Sequence, residues 1–131
     1  MTTEQANQLQ YVYDKVSESI NGIIEGTFDN LHLYLQTTKN TPQGTSNQTV
    51  FSSSIPAGDY ILFWAMRLDI GYTPTFTEST NLKLINQTTN NGYSRIYKLS
   101  LTTNQTVSLQ VRFNDSNGNM YARHTIQILA V

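Results

Sequence analysis

Asp115, Asn117 and Asn119 present side-chain oxygens at alternate positions, as the first half of a calcium loop does toward a hard cation. The pattern then breaks. Position six is Met120 where such a loop needs glycine, and position twelve is Ile126 where it needs glutamate, so the segment reads as a turn between strands. His32 and His124 each stand alone in a strand-like stretch. An imidazole needs a placed partner to act as base or ligand, so the expectation for both is a histidine satisfied by its neighbours. Asp59, Asp69, Glu78 and Asp115 are scattered in or beside turns, and nothing in their spacing selects a glycosidase pair. There is no G-x-S-x-G elbow and no glycine-rich phosphate loop. With no cysteine, thiolate metal sites, disulfides and a cysteine nucleophile are excluded. The sequence predicts no catalytic residue, no metal site, no cofactor and no enzymatic activity.

Binding is the chemistry that remains. Tyr60, Trp64, Tyr72, Phe76, Tyr93, Tyr97 and Tyr121 are flat faces on which a pyranose ring can stack, with Asn and Gln amides to bind its hydroxyls. Trp64 is in register with Leu62 and Met66 and belongs in a core, whereas Tyr72 and Phe76 flank Pro74 in a turn-rich stretch and are the candidate glycan contacts. Asn47, Asn86, Asn104 and Asn114 each open an N-x-S/T sequon, three of them Asn-Gln-Thr in stretches expected to be loops, and are candidate N-glycosylation sites.

The elements that carry these residues divide into two kinds. Ala6, Leu9, Tyr13, Val16, Ile20 and Ile23 recur at alternating spacings of three and four, a heptad seam on one helix. Thr2 and Gln5 fit a capping box at its start, and Gly26 is placed to end it after about Ile24. Mediocre helix formers such as Asn7, Asn21 and the β-branched residues make it marginal alone, so packing must hold it. Leu9, Tyr13, Val16, Ile20 and Ile23 are the expected oligomer interface, and isoleucine at both core positions of the last heptad favours three or more strands over two.

After residue 26 the period becomes two. Leu31, Leu33 and Leu35 alternate with polar residues, and TTKNTPQGTSNQ then reads as a loop leading to a short strand at Val50 and Phe51. Tyr60, Leu62, Trp64 and Met66 share one face of what should be the longest strand. Ile61, Phe63 and Ala65 make the other face apolar as well, which predicts a central position in a sheet. Further strands are expected near residues 81–85, 96–101, 107–113 and 121–131, the last two joined as a hairpin by NDSNGN. Seven or eight such strands predict an antiparallel β-sandwich, immunoglobulin-like or jelly-roll-like, preceded by one amphipathic α-helix. The expected division is residues 1–26 as a helical assembly element and residues 27–131 as the β domain.

Composition narrows the partners. Thr, Asn, Ser and Gln make up 52 of 131 residues, and only 13% are charged against about 25% in an average domain. Residues 1–30 carry a net charge of −4 and residues 31–131 a net charge of +3. Neither half is basic enough to predict a nucleic-acid ligand, and the near-neutral whole suits self-association. No basic leader precedes an apolar run, and the longest apolar run is far short of a membrane span, so a soluble chain without stable membrane insertion is expected.

The short heptad helix, the abrupt change at Gly26, and the cysteine-free Thr/Asn/Gln-rich remainder ending in VSLQVRFNDSNGNMYARHTIQILAV resemble small virion structural proteins. They are similar in style to tail, baseplate, nozzle and fibre components of tailed bacteriophages and to tail or vertex proteins of spindle-shaped archaeal viruses. The resemblance implies a non-enzymatic subunit of a homo-oligomeric virion assembly that contacts itself and other virion proteins. The alternative expectation is a carbohydrate-binding or adhesion module that meets a host-surface glycan.

Overall fold

The computed structural model describes residues 2–19, 31–89 and 92–131, with residues 13–19 described as backbone. A helix, α1 (Thr3–Ser19), precedes eight strands: β1 (His32–Gln43), β2 (Gln48–Ile55), β3 (Gly58–Leu68), β4 (Pro74–Glu78), β5 (Leu82–Thr88), β6 (Tyr93–Leu101), β7 (Gln105–Phe113) and β8 (Asn117–Ala130).

The capping box forms as its residue types require. The Thr2 backbone N–H donates to Gln5 Oε1 at 2.9 Å and the Gln5 N–H to Thr2 Oγ1 at 3.1 Å, so each side chain satisfies a donor that the first helical turn leaves free. Residues 2–12 are exposed throughout. The expected end of the helix at Ile24 and Gly26, the boundary between residues 26 and 27, Ile20, Ile23, and the side chains of Tyr13 and Val16 lie outside the described residues.

The strands form two antiparallel sheets, one of order β1-β8-β3-β6-β5 and one of order β2-β7-β4. Pairings nest, β1 with β8, β2 with β7 and β3 with β6, as in a long hairpin rolled up on itself. An immunoglobulin sandwich instead keeps its first two strands in one sheet; here they lie in different sheets, so of the two expected forms this is the jelly roll. It departs from a fully rolled hairpin at one edge, where β5 pairs with β6 and not with β4.

One core fills the space between the sheets. Tyr60, Leu62, Trp64 and Met66 of β3, Ile126 and Ile128 of β8, and Tyr97 and Leu99 of β6 meet Val107, Leu109, Val111 and Phe113 of β7. Trp64 is 1% exposed and its ring meets Phe76 of the opposite sheet edge-on at 5.1 Å, an aromatic contact that links the two layers. The central position expected for β3 is found, with β8 on one side and β6 on the other. Its outer face is also partly covered: Ile61 is buried and Phe63 half-buried.

Five sequence expectations are corrected. β7 and β8 are not a hairpin: the NDSNGN turn carries the chain from one sheet to the other, held by Phe113 N–H to Gly44 O and Asn114 N–H to Thr73 O. Residues 37–43 belong to β1 and not to a loop, and β8, at 14 residues, is longer than β3. The TPTFTE stretch is edge strand β4 and not a turn. In β1 the alternation slips at Tyr34, where the register with β8 shifts, leaving Leu33 exposed and bringing Leu35 against the core.

Candidate functional site

Two clusters of polar side chains are built by the sheets, one inside the sandwich and one on its outer surface. The inner cluster begins at His124. Trp64 Nε1–H donates to His124 Nδ1 at 3.0 Å, which fixes the other ring nitrogen as the N–H donor to Thr41 Oγ1 at 2.9 Å. Both ring nitrogens are thus engaged. Burial, with a smaller contribution from the Lys39 charge, pushes the imidazole down to about 4, so it stays neutral at pH 7. Close by, the Arg95 guanidinium lies 4.3 Å over the Phe76 ring and bonds the Tyr97 hydroxyl at 2.7 Å, Gln87 Oε1, and Glu78 at 3.4 Å. Tyr97 in turn donates to Glu78 at 3.0 Å, and burial raises the pKa of its phenol. With both partners of every group inside the protein, this cluster specifies the core and leaves nothing aimed at a ligand.

The outer cluster faces solvent on the five-stranded sheet. Because β3 and β8 are antiparallel neighbours, Arg67 falls directly opposite Arg123 and Ala65 directly opposite Thr125. On the other side of β3, Ala65 pairs with Ser94 and Met66 with Tyr93 of β6. The result is a groove of about 350 Å³ lined by Ala65, Met66, Arg67, Gly92, Tyr93, Ser94, Arg123 and Thr125. Ala65 supplies a low floor between two hydroxyls. Arg67, Gly92 and Tyr93 are shared with a second hollow of about 390 Å³ that continues through Asp69 and Gly71 to Tyr72.

Glycine is required at position 92. Its φ is +122°, and a Cβ there would sit 2.8 Å from the Met66 carbonyl oxygen, so position 92 itself puts no side chain into the groove. Asp69 neutralises one arginine: Arg123 donates from Nε to Oδ1 and from Nη2 to Oδ2, both at 3.3 Å, and the Tyr121 N–H adds a bond to Oδ2 at 3.0 Å. The Tyr121 amide first, and then Arg123, hold the Asp69 carboxyl below its usual pKa. Arg67 is exposed and, among the described residues, has no hydrogen-bond partner.

The residues singled out by sequence are distributed over the molecule. Leu9 of α1 is exposed. Tyr72 is half-buried on the rim of the second hollow, while Phe76 is held between Trp64, Tyr93 and Arg95, so its ring faces are occupied. Asn47 lies in the loop before β2 and Asn104 between β6 and β7, both exposed; Asn86 is on edge strand β5, and Asn114 Oδ1 accepts the Thr73 N–H at 2.8 Å. His32 is exposed at the start of β1. Asp115 and Asn117 each use a side-chain oxygen on a local backbone N–H, of Ser116 and Asn119. Among the described residues no three His, Cys, Asp or Glu side chains gather where they could hold a metal ion, and no helix is long and apolar enough to cross a membrane.

Sequence reasoning missed Arg67, Arg123, Ser94 and Thr125. The one available signal was phase: on β3 and β6, Arg67 and Ser94 occupy positions alternate to the core residues, and Arg123 and Thr125 do so on β8. Their convergence depends on a register between strands about 30 to 60 positions apart, which no local pattern encodes. No protein-family model matches the chain, and no curated protein sequence matches it.

Proposed function

We propose that this chain is a non-enzymatic structural subunit that assembles with copies of itself through its N-terminal helix, in the manner of tail, nozzle or fibre components of a virion, where it also contacts other virion proteins. The observation that carries the reading is the exposure of Leu9 at 45% and Val12 at 55%, one turn apart on α1, beside an open groove to which Gln5 and Gln8 also contribute. An amphipathic helix is held by burial of its apolar stripe. Here the described part of that stripe is not spent on the chain's own sandwich, and a second copy offers a stripe of the same shape. Opposite net charges on the first 30 residues and on the rest give neighbouring subunits a further attraction. The jelly roll suits the role, since the same fold recurs in viral capsid proteins, though also in lectins.

Sedimentation velocity of the full chain at tens of micromolar tests the proposal. The expected result is an oligomer of three or more, converted to monomer by Leu9→Asp with Val12→Asp while the β-type circular dichroism is unchanged. A wild-type chain that sediments as a monomer at about 100 µM overturns it, because self-association is then weaker than about 5.5 kcal/mol.

A further inference from the structure

We infer that the Arg67 groove is a binding site for a carboxylated saccharide, a sialic or uronic acid residue, with the Arg67 guanidinium as the carboxylate anchor. The inference is independent of the helix, and a monomer would have the site intact.

Charge placement is the first argument. Two arginines stand directly opposite each other on β3 and β8, an arrangement that works against sheet pairing. Asp69 hydrogen-bonds only one of them, Arg123, and attracts Arg67 through space without a bond. Both its oxygens are committed to Arg123, and one of them also to the Tyr121 N–H, so the three charges leave one surplus positive charge, at an exposed guanidinium with no hydrogen-bond partner among the described residues. A guanidinium presents two parallel N–H donors in the spacing of one carboxylate, and a single free fork matches a single carboxylate better than a polyanion.

The surroundings select a sugar. Ser94 and Thr125 place hydroxyls on either side of the Ala65 floor, each able to donate to and accept from a sugar hydroxyl. The groove and its continuation are each of small-ligand size, about 350 and 390 Å³. Tyr72 and Tyr93 line the continuation as half-buried residues packed against the core, Tyr93 with its ring on Phe76, so an oligosaccharide's next residue would meet their exposed edges. Gly92 adds no side chain to the lining.

The test is a titration of the ¹⁵N-labelled full chain with 3′-sialyllactose and, separately, with glucuronate, using lactose and sodium acetate as controls. Either acidic sugar should shift the amides of residues 65–67, 92–94 and 123–125. Arg67→Gln should weaken that binding by about tenfold or more, as loss of a charged hydrogen bond does. Ser94→Ala should weaken it by several-fold. Both positions are exposed, so both variants should keep the wild-type melting temperature, and this separates loss of the site from loss of the fold. Binding of lactose as strongly as sialyllactose removes the carboxylate from the argument and overturns the inference. Equal shifts with acetate reduce the site to a simple anion contact and also overturn it. So does the absence of shifts with both acidic sugars at about 20 mM, a concentration that detects even weak sites, or binding that survives Arg67→Gln.

Discussion

Burial holds the His124 imidazole at about 4, well under the usual 6.5 of a free histidine, because a cation there would lie between the sheets beside Trp64 and Thr41. The consequence is a dependence of stability on pH with a fixed sign. Between pH 6.5 and 4 the unfolded chain binds a proton at this position and the folded chain does not, so stability falls as pH falls through that window and is fully retained above it. Two and a half pKa units correspond to about 3 kcal/mol. Urea titrations at pH 7 and pH 4.5 should show most of that loss. His124→Gln, which keeps an acceptor for the Trp64 N–H and a donor for Thr41, should flatten this part of the profile, leaving the Asp69 contribution, which is lost at still lower pH as its depressed carboxyl protonates. Thr41 and Gln43 carry the same lesson about what a sequence reveals. Both are almost fully buried in a stretch that reads as a polar loop. They are tolerated inside because Thr41 meets His124, while Gln43 exchanges two hydrogen bonds with the Ile70 backbone, at 2.9 and 3.0 Å. Those partners lie 83 and 27 positions away.

Strands whose inward positions are mostly apolar were legible: β3, β6, β7 and β8 follow the period-two pattern of their residues, with Arg95 on β6 and His124 on β8 as buried polar exceptions. β1 and β4 were not. In β1 a bulge at Tyr34 breaks the phase and the later inward positions are polar, and β4 is a five-residue edge strand containing Pro74, whose residues signal a turn. The hidden strand β4 determines how the sandwich is closed. It forms the edge of one sheet while β5 forms the edge of the other, and with no pairing between them that side is joined by Glu78 of β4 reaching Arg95 and Tyr97 of β6. This clasp is partly buried, with the Arg95 side chain 10% exposed and that of Glu78 26%. Removing one partner of such a pair strands the other, which is costly whatever the pair contributes when intact. Arg95→Met should therefore lower stability by about 3 kcal/mol. Glu78→Gln, which keeps an acceptor for the Tyr97 hydroxyl, should lower it by about 1 kcal/mol. Chemical denaturation of the two variants measures the difference, and a Glu78→Gln variant as stable as the wild type would mean that the clasp acts only through packing of the Arg95 guanidinium on Phe76.

At the scale of the whole molecule, the rolled connectivity makes the last strand the one on which the large sheet depends. β8 lies between β1 and β3, pairing Leu33 with Leu129 on one side and Trp64 with Ile126 on the other. Its partners precede it by about 60 to 95 positions, so the loop-closure entropy of nearly the entire β domain must be overcome before those contacts form. Among the described pairings only the β5–β6 hairpin is local. Such a topology predicts folding in about 10 ms to several seconds and not in microseconds. Trp64 is the natural probe, since it is the single tryptophan, it is 1% exposed, and it touches Phe76 of the other sheet and His124 of β8. Stopped-flow dilution from urea should show its fluorescence recovering on that slow scale, after β-hairpin signals in circular dichroism have begun to rise. A chain shortened after Ile126 provides the stricter check. It retains the hydrogen bond from Trp64 to His124 and every residue of the smaller sheet, but it loses Ile128 from the core and the pairing of Tyr60, Ile61, Leu62 and Phe63 with the end of β8. If β8 is the closing element, that chain should fail to reach the native Trp64 emission at any time. If instead the smaller sheet and β3 form a nucleus that is stable by itself, the shortened chain should reach the native emission at the wild-type rate and differ only in unfolding faster.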